Sequence, residues 1–116
     1  MAKKQTYKFG ILAERISIIF LLLKGYKILE WRYNTRFGEV DIVAKKSDVI
    51  VVIEVKARSS EICIEEVLHP RQIERVKKAA EFFIVENQQF QNFNLRFDFI
   101  TVSKFFVPKH YVNFIS

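Results

Sequence analysis

Asp41 and the triplet Glu54-Val55-Lys56 are the residues of this chain whose types and spacing could do chemistry. Two carboxylates and an ammonium group on one surface suit metal-assisted phosphodiester hydrolysis. Mg²⁺ takes oxygen ligands in octahedral geometry and keeps several waters, a demand that two carboxylates, a backbone carbonyl and solvent can meet. The cation acidifies a bound water and offsets charge on the phosphate. A neighbouring lysine orients that water or stabilises the pentavalent transition state. The competing reading is a surface hairpin with ordinary ion pairs, which contribute little. Asp and Glu-x-Lys are common, so spacing alone leaves both readings open.

The acids sit in two apolar, β-branched runs, Val40 to Ala44 and Val49 to Ile53, joined by a short polar turn. Both read as strands, the second as one buried on both faces. Side chains alternate along a strand, so Glu54, Lys56 and Arg58 share one face, and Glu39 and Asp41 share a face of the other strand. A two-residue turn (Lys46-Ser47) makes Asp41 and Glu54 diagonal neighbours and sets Glu39 opposite Glu54. A four-residue turn (Lys46 to Val49) sets Asp41 directly opposite Glu54, and an odd-length loop separates them. Facing carboxylates repel, so a positive group is expected between them: Lys56, a divalent metal, or both.

Upstream, Gly10 to Lys24 reads as a helix stopped by Gly25, apolar on nearly every side from Ile16 and so largely buried. Glu14 lies on an apolar stripe, with Ile18 and Leu21 at i+4 and i+7. A carboxylate there needs a partner or a metal, unless it is a first-turn residue favoured by the helix dipole and reaching solvent. Beside the hairpin acids it would be the third carboxylate of a cation site. The basic start and the apolar run imitate a signal peptide. Glu14, Arg15 and Lys24 break that pattern, and no small-residue cleavage site follows. The run is too short to span a bilayer.

The chain has 116 residues, half of them apolar and 12 of them Phe. It is expected to form a single domain over 1–116, with a core at about 10–102 and an aromatic C-terminal extension at 103–116. A formal net charge of +6 and a pI near 9.6 favour an anionic partner, nucleic acid before membrane. The lone Cys63 excludes an internal disulfide and fits a reducing cytoplasm.

Tyr26 to Tyr33 reads as a first strand, and Asn34 to Phe37 turns into Gly38. Trp31 and Tyr33 are expected in the core rather than stacked on bases. Ser59 to Leu68 is ambiguous. His69-Pro70 opens a helix over Arg71 to Asn87, with Ile73, Val76, Ala80, Phe83 and Ile84 on its core face. Arg71, Arg75 and Lys78 line another face, a stripe that either tracks a phosphate backbone or is simply solvated. Leu95 to Val102 alternates as a fourth strand, whose Asp98 either pairs with Arg96 or supports a site from behind. Phe105 to Phe114 reads as an edge strand with a helical turn, and Phe105 and Phe106, if exposed, make a sticky partner surface.

The resulting order, α-β-β-β-α-β with Asp in the second strand and Glu-x-Lys in the third, resembles the restriction-endonuclease-like (PD-(D/E)xK) core. Gly10-x-x-Ala13-Glu14, Gly25-Tyr26, Ile28-Leu29, Gly38-Glu39-Val40-Asp41-Ile42-Val43-Ala44 and Ile53-Glu54-Val55-Lys56-Ala57-Arg58 resemble the YraN family. These small bacterial proteins are predicted nucleases similar to archaeal Holliday junction resolvases. The resemblance implies an α/β fold with a mixed four- to five-stranded sheet flanked by helices. It makes Glu14, Asp41 and Glu54 the metal ligands, Lys56 the catalytic lysine and Glu39 a supporting residue. The family usually carries Arg-Asn and then Arg two residues later; here Trp31-Arg32-Tyr33-Asn34 departs from that pattern. Where the family often has Lys at the start of the second long helix, Gln72 stands beside Arg71.

The sequence thus leads to an expected Mg²⁺- or Mn²⁺-dependent endonuclease acting on DNA, on branched or repair intermediates. Arg36, Arg58, Arg71, Gln72 and Arg75 are its expected nucleic-acid contacts, and a homodimer would suit a two-stranded substrate. The alternatives are a non-catalytic nucleic-acid-binding module and an interaction subunit of a DNA-processing complex.

Overall fold

The computed structural model describes residues 3–58 and 69–115; the ambiguous stretch 59–68, with Cys63, lies outside the described residues, and so does the side chain of Arg58. The elements in order are α1 (Lys3–Leu23), β1 (Lys27–Thr35), β2 (Gly38–Lys46), β3 (Val49–Arg58), α2 (Pro70–Glu86), a 3-10 turn (Gln88–Phe90), β4 (Asn94–Ser103) and β5 (Pro108–Ile115). The strands form one sheet in the order β1-β2-β3-β4-β5. β3 and β4 run parallel and the other neighbours antiparallel. A parallel pair needs a crossover, and α2 lies within it. This is the mixed α/β sheet with flanking helices expected of a restriction-endonuclease-like core.

β3 is the central strand and is buried on both faces, as its unbroken apolar run requires. Val51, Ile53 and Val55 pack toward Ala13 and Leu21 of α1. Ile50 and Val52 pack toward Val76, Ala80 and Phe83 of α2. The sheet therefore separates two apolar layers, each closed by one helix.

α1 departs from expectation twice. It begins at Lys3, not at Gly10, because a single glycine weakens a helix by about 1 kcal/mol without stopping it. It is also less buried than its composition suggests. The stripe Ala13, Ser17 and Leu21 is fully buried, whereas Ile19, Leu22 and Leu23 are exposed, since one sheet face covers only one side of the helix. Its end is a Schellman motif: Gly25 at φ 90 donates its N–H to the Leu22 carbonyl, and Tyr26 donates to that of Leu21.

The β2–β3 turn settles the register. Lys46 pairs with Val49, leaving Ser47 and Asp48 as the loop, with Ser47 at φ 53. The ladder runs to Ile42–Ile53, and Asp41 and Glu54 are the next residues on the two strands. That is the arrangement of the longer-turn alternative, with the loop closed one pair more tightly. At the C-terminal end β5 pairs along β4 as an edge strand. The turn before it exposes Phe105 and Phe106. No helix among the described residues is long and apolar enough to cross a membrane.

Candidate active site

The regular β2–β3 ladder stops at Ile42–Ile53. Two residues further along β3, the Val55 N–H donates instead to Asp41 Oδ2 at 2.8 Å. Side-chain alternation on β2 also breaks here: Val40 and Val43 both pack on the α2 side, while Ile42 and Ala44 pack on the α1 side. On β1, the residue between the Trp31–Ile42 and Tyr33–Val40 pairs is Arg32, at φ 56. An arginine in the left-handed region is uncommon. The irregularity places Asp41 where β1, β2 and β3 stop behaving as a flat ladder.

Glu54 is 5% exposed. Its Oε2 accepts a hydrogen bond from Gln72 Nε2 at 3.3 Å. Its Oε1 is buried with no hydrogen-bond partner among the described residues. Burial, and then the negative Asp41, push the Glu54 carboxyl from an ordinary 4.5 up to about 9, against the opposing pull of Lys56. Asp41 is also raised: burial dominates, Glu14's charge adds to it, and the Val55 N–H and Lys56 oppose it. Asp41, Glu54 and Lys56 are therefore brought together, with Glu14 close enough to be felt. A buried, partnerless carboxylate oxygen facing a second carboxylate is a costly arrangement. An all-oxygen donor set of this kind fits a hard divalent cation.

Glu14 is differently engaged. Its Oε1 accepts from Trp31 Nε1 at 2.8 Å and from Arg32 Nε at 2.9 Å. Trp31 is 43% exposed, so it is a lid on this carboxylate rather than the core residue expected. The Arg32 guanidinium lies over its ring at 5.6 Å. Consistent with this tether, no group of three or more His, Cys, Asp or Glu among the described residues stands in an arrangement that could hold a metal ion. The structure brings Asp41 and Glu54 to one place and ties Glu14 to β1.

The remaining expected residues scatter around the same end of the sheet. Glu39 is exposed and pairs by register with Asn34, and the Ile42–Ile53 register of β2 and β3 excludes the arrangement that sets it opposite Glu54. Arg36 is exposed, with its guanidinium 5.0 Å from the Phe37 ring. Arg71 and Arg75 are exposed on the first turns of α2. Gly38, at φ 141, lets β2 start directly against the Arg75 side chain, whose Cβ would lie 3.4 Å from an added methyl. Gln72 turns inward to Glu54, which makes it a support for the acid. His69 is the N-cap of α2 and accepts from the Arg71 N–H. Asp98 does not stand behind Glu54. It lies on the α1 side, accepting from Arg96, from His110 and from the Asn113 N–H. An open pocket of about 510 Å³ between β1 and the C-terminal end of α2, lined in part by Tyr33, Phe83 and Glu86, does not include the acids.

Sequence reasoning missed Trp31 and Arg32 as partners of Glu14. Both follow from the break in alternation at Arg32, and no residue type there announces one.

The model of the family described as "Uncharacterised protein family UPF0102" matches residues 13–102. The chain belongs to the UPF0102 family. It is 36% identical over 111 residues to a UPF0102 protein of Agrobacterium fabrum, covering 96% of this chain and 91% of the relative. A UPF0102 protein of Rhizobium etli is 32% identical over 109 residues, 94% of this chain and 89% of the relative. One of Brucella canis is 33% identical over 114 residues, 98% and 90% respectively. UPF0102 is the YraN-type group that the sequence resembles. The UPF0102 match begins at the turn of α1 that carries Glu14 and ends within β4. It spans Glu14, Asp41, Glu54, Lys56 and Gln72, and leaves out β5.

Proposed function

We propose that this chain is a Mg²⁺- or Mn²⁺-dependent nuclease that hydrolyses DNA phosphodiester bonds, with branched or repair intermediates as its substrates. The observation that carries this reading is the buried Asp41–Glu54 pair, whose Glu54 Oε1 has no hydrogen-bond partner among the described residues, with the charge of Lys56 acting on both acids. Asp41 and Glu54 would hold the metal, with Glu14 as the further carboxylate. A bound divalent cation supplies charge that offsets the phosphate and lowers the pKa of a water. The chain's own groups prepare the site. The Val55 N–H fixes Asp41 Oδ2, and the Gln72 amide fixes Glu54 Oε2. Lys56 holds positive charge against both acids, where it can steady the charge that builds on a phosphate under attack. Arg36, Arg71 and Arg75 lie exposed around the same end of the sheet, and Arg58 closes β3 there; these are the proposed contacts to the phosphate backbone.

The test is cleavage of a four-way junction and of supercoiled plasmid with Mn²⁺, comparing the unaltered chain with Asp41→Ala and Lys56→Ala. Loss of at least about 100-fold in both variants supports the reading. Equal residual cleavage by all three proteins refutes it. One observation favours a second reading, a nucleic-acid-binding module without turnover: Glu14 is tied to Trp31 and Arg32 rather than grouped with the other acids. That reading expects salt-sensitive DNA binding that survives Glu54→Ala, with no cleavage in any metal.

A further inference from the structure

Glu14 combines three features that a structural salt bridge alone does not require. It stands beside Ala13, which belongs to the same apolar cluster as Val55, the residue whose N–H holds Asp41, and its charge is felt at Asp41; yet the same Oε1 takes two donors from β1. One of those donors is an arginine held at φ 56, a conformation that is strained for a side chain of this kind. The arginine is also accessible: its side chain is 37% exposed, against 14% for that of Glu14. A phosphodiester is a strong competitor for a guanidinium, because the fork can engage two phosphate oxygens at once.

Resting on the nuclease reading above, we propose that Trp31 and Arg32 form a latch that holds Glu14 away from the metal site until a nucleic-acid phosphate claims Arg32. Without nucleic acid, the Asp41–Glu54 pair is left with two carboxylates, and the third stays committed to β1. When a phosphodiester engages the Arg32 guanidinium, one of the two donors on Glu14 is withdrawn, and the carboxylate gains freedom to turn toward Asp41. Metal affinity and nucleic-acid binding are then coupled, each strengthening the other by the same factor. The latch is a positioning device: neither Trp31 nor Arg32 need touch the reacting atoms for it to work.

The chain carries its own reporter. Trp31 is the single tryptophan, and its indole N–H is one of the two latch donors, so its fluorescence reads the state of Glu14 directly.

The experiment measures Mn²⁺ affinity calorimetrically in the full chain without nucleic acid, and follows Trp31 emission in parallel. Arg32→Asn is the informative variant, since asparagine tolerates positive φ and the fold is kept. It should bind Mn²⁺ about fivefold or more tightly than the unaltered chain, the lower end of ordinary coupling between sites. Adding Glu14→Gln to it should cancel the gain. A short duplex oligonucleotide should raise Mn²⁺ affinity and shift Trp31 emission in the unaltered chain, and should leave the Mn²⁺ affinity of Arg32→Asn unchanged. Equal Mn²⁺ affinity in the unaltered chain and Arg32→Asn, with binding still lost in Asp41→Ala, overturns the latch and leaves the metal site standing. Absence of Mn²⁺ binding in every variant, with or without oligonucleotide, overturns both.

Discussion

Glu54→Gln should make the metal-free protein more stable, by an amount that depends on pH. The folded chain holds the Glu54 proton up to about pH 9, whereas an ordinary glutamate gives it up near 4.5. Between those values the folded state binds a proton that the unfolded chain has released. Stability therefore falls as pH rises through that window, and the contribution is whole only below it. At pH 7 the gap to the ordinary value spans two and a half units, at about 1.4 kcal/mol each. That gives roughly 3 kcal/mol as an upper bound, and about 2 kcal/mol once the shared charge with Asp41 and Lys56 is allowed for. Glutamine keeps the volume, still accepts from Gln72 and offers Asp41 a donor without having to take up a proton.

The assay is thermal and urea unfolding of both proteins at pH 5, 7 and 8 with chelator present. At pH 7 the variant should melt about 5–10 °C higher. The difference should shrink toward pH 5 and grow toward pH 8. With Mn²⁺ added, the unaltered chain should recover stability and the variant should not, because a ligand that binds only the folded state raises stability by mass action. A variant no more stable than the unaltered chain at pH 7, or a difference that does not change with pH, would show that Glu54 is not held in the costly position argued above.

Two further outcomes follow from the rest of the structure. Asp98→Ala should cost about 3–5 kcal/mol in urea unfolding, because it strands Arg96 and the nearly buried His110 around a carboxylate whose side chain is fully buried. Burial alone would raise the Asp98 pKa; hydrogen bonds from His110 and Arg96 outweigh it and hold the carboxyl below the ordinary range, so this support should fade only in acid. Replacing both Arg71 and Arg75 with alanine should weaken DNA binding evenly across sequences. It should also flatten the plot of log affinity against log salt by about 2, a result read by fluorescence anisotropy over a salt series.

Much of the fold was legible because period and burial agree. The Val49–Ile53 run could only be a strand covered on both faces, and α2 announced its core stripe through Val76, Ala80 and Phe83. The opposition of Asp41 and Glu54 was legible only as a pair of alternatives, since parity fixes faces but not loop length. The turn at Ser47 and Asp48 decided it. The tether on Glu14 was not legible. Trp31 and Arg32 are neighbours in sequence, which in a regular strand would point to opposite faces, and only the positive φ of Arg32 turns both toward α1. The exposure of Ile19, Leu22 and Leu23 was hidden for a related reason: composition reports how apolar a helix is, not how much sheet is available to cover it.

The same irregularity explains why the acids are where they are. A continuous β2–β3 ladder would spend the Val55 N–H on a backbone carbonyl and keep both strands in step. Ending it at Ile42–Ile53 frees that N–H for Asp41, beside a Glu54 Oε1 that has no hydrogen-bond partner among the described residues. Such a break costs stability, and a sheet held only by its ladders would tend to close it. Here it is held open by Gln72 on α2 and by Gly38, which lets β2 begin against Arg75. Elements separated in sequence thus converge on one interruption in the sheet. A hairpin kept only for packing has no use for that convergence, whereas the cation site proposed above would depend on it.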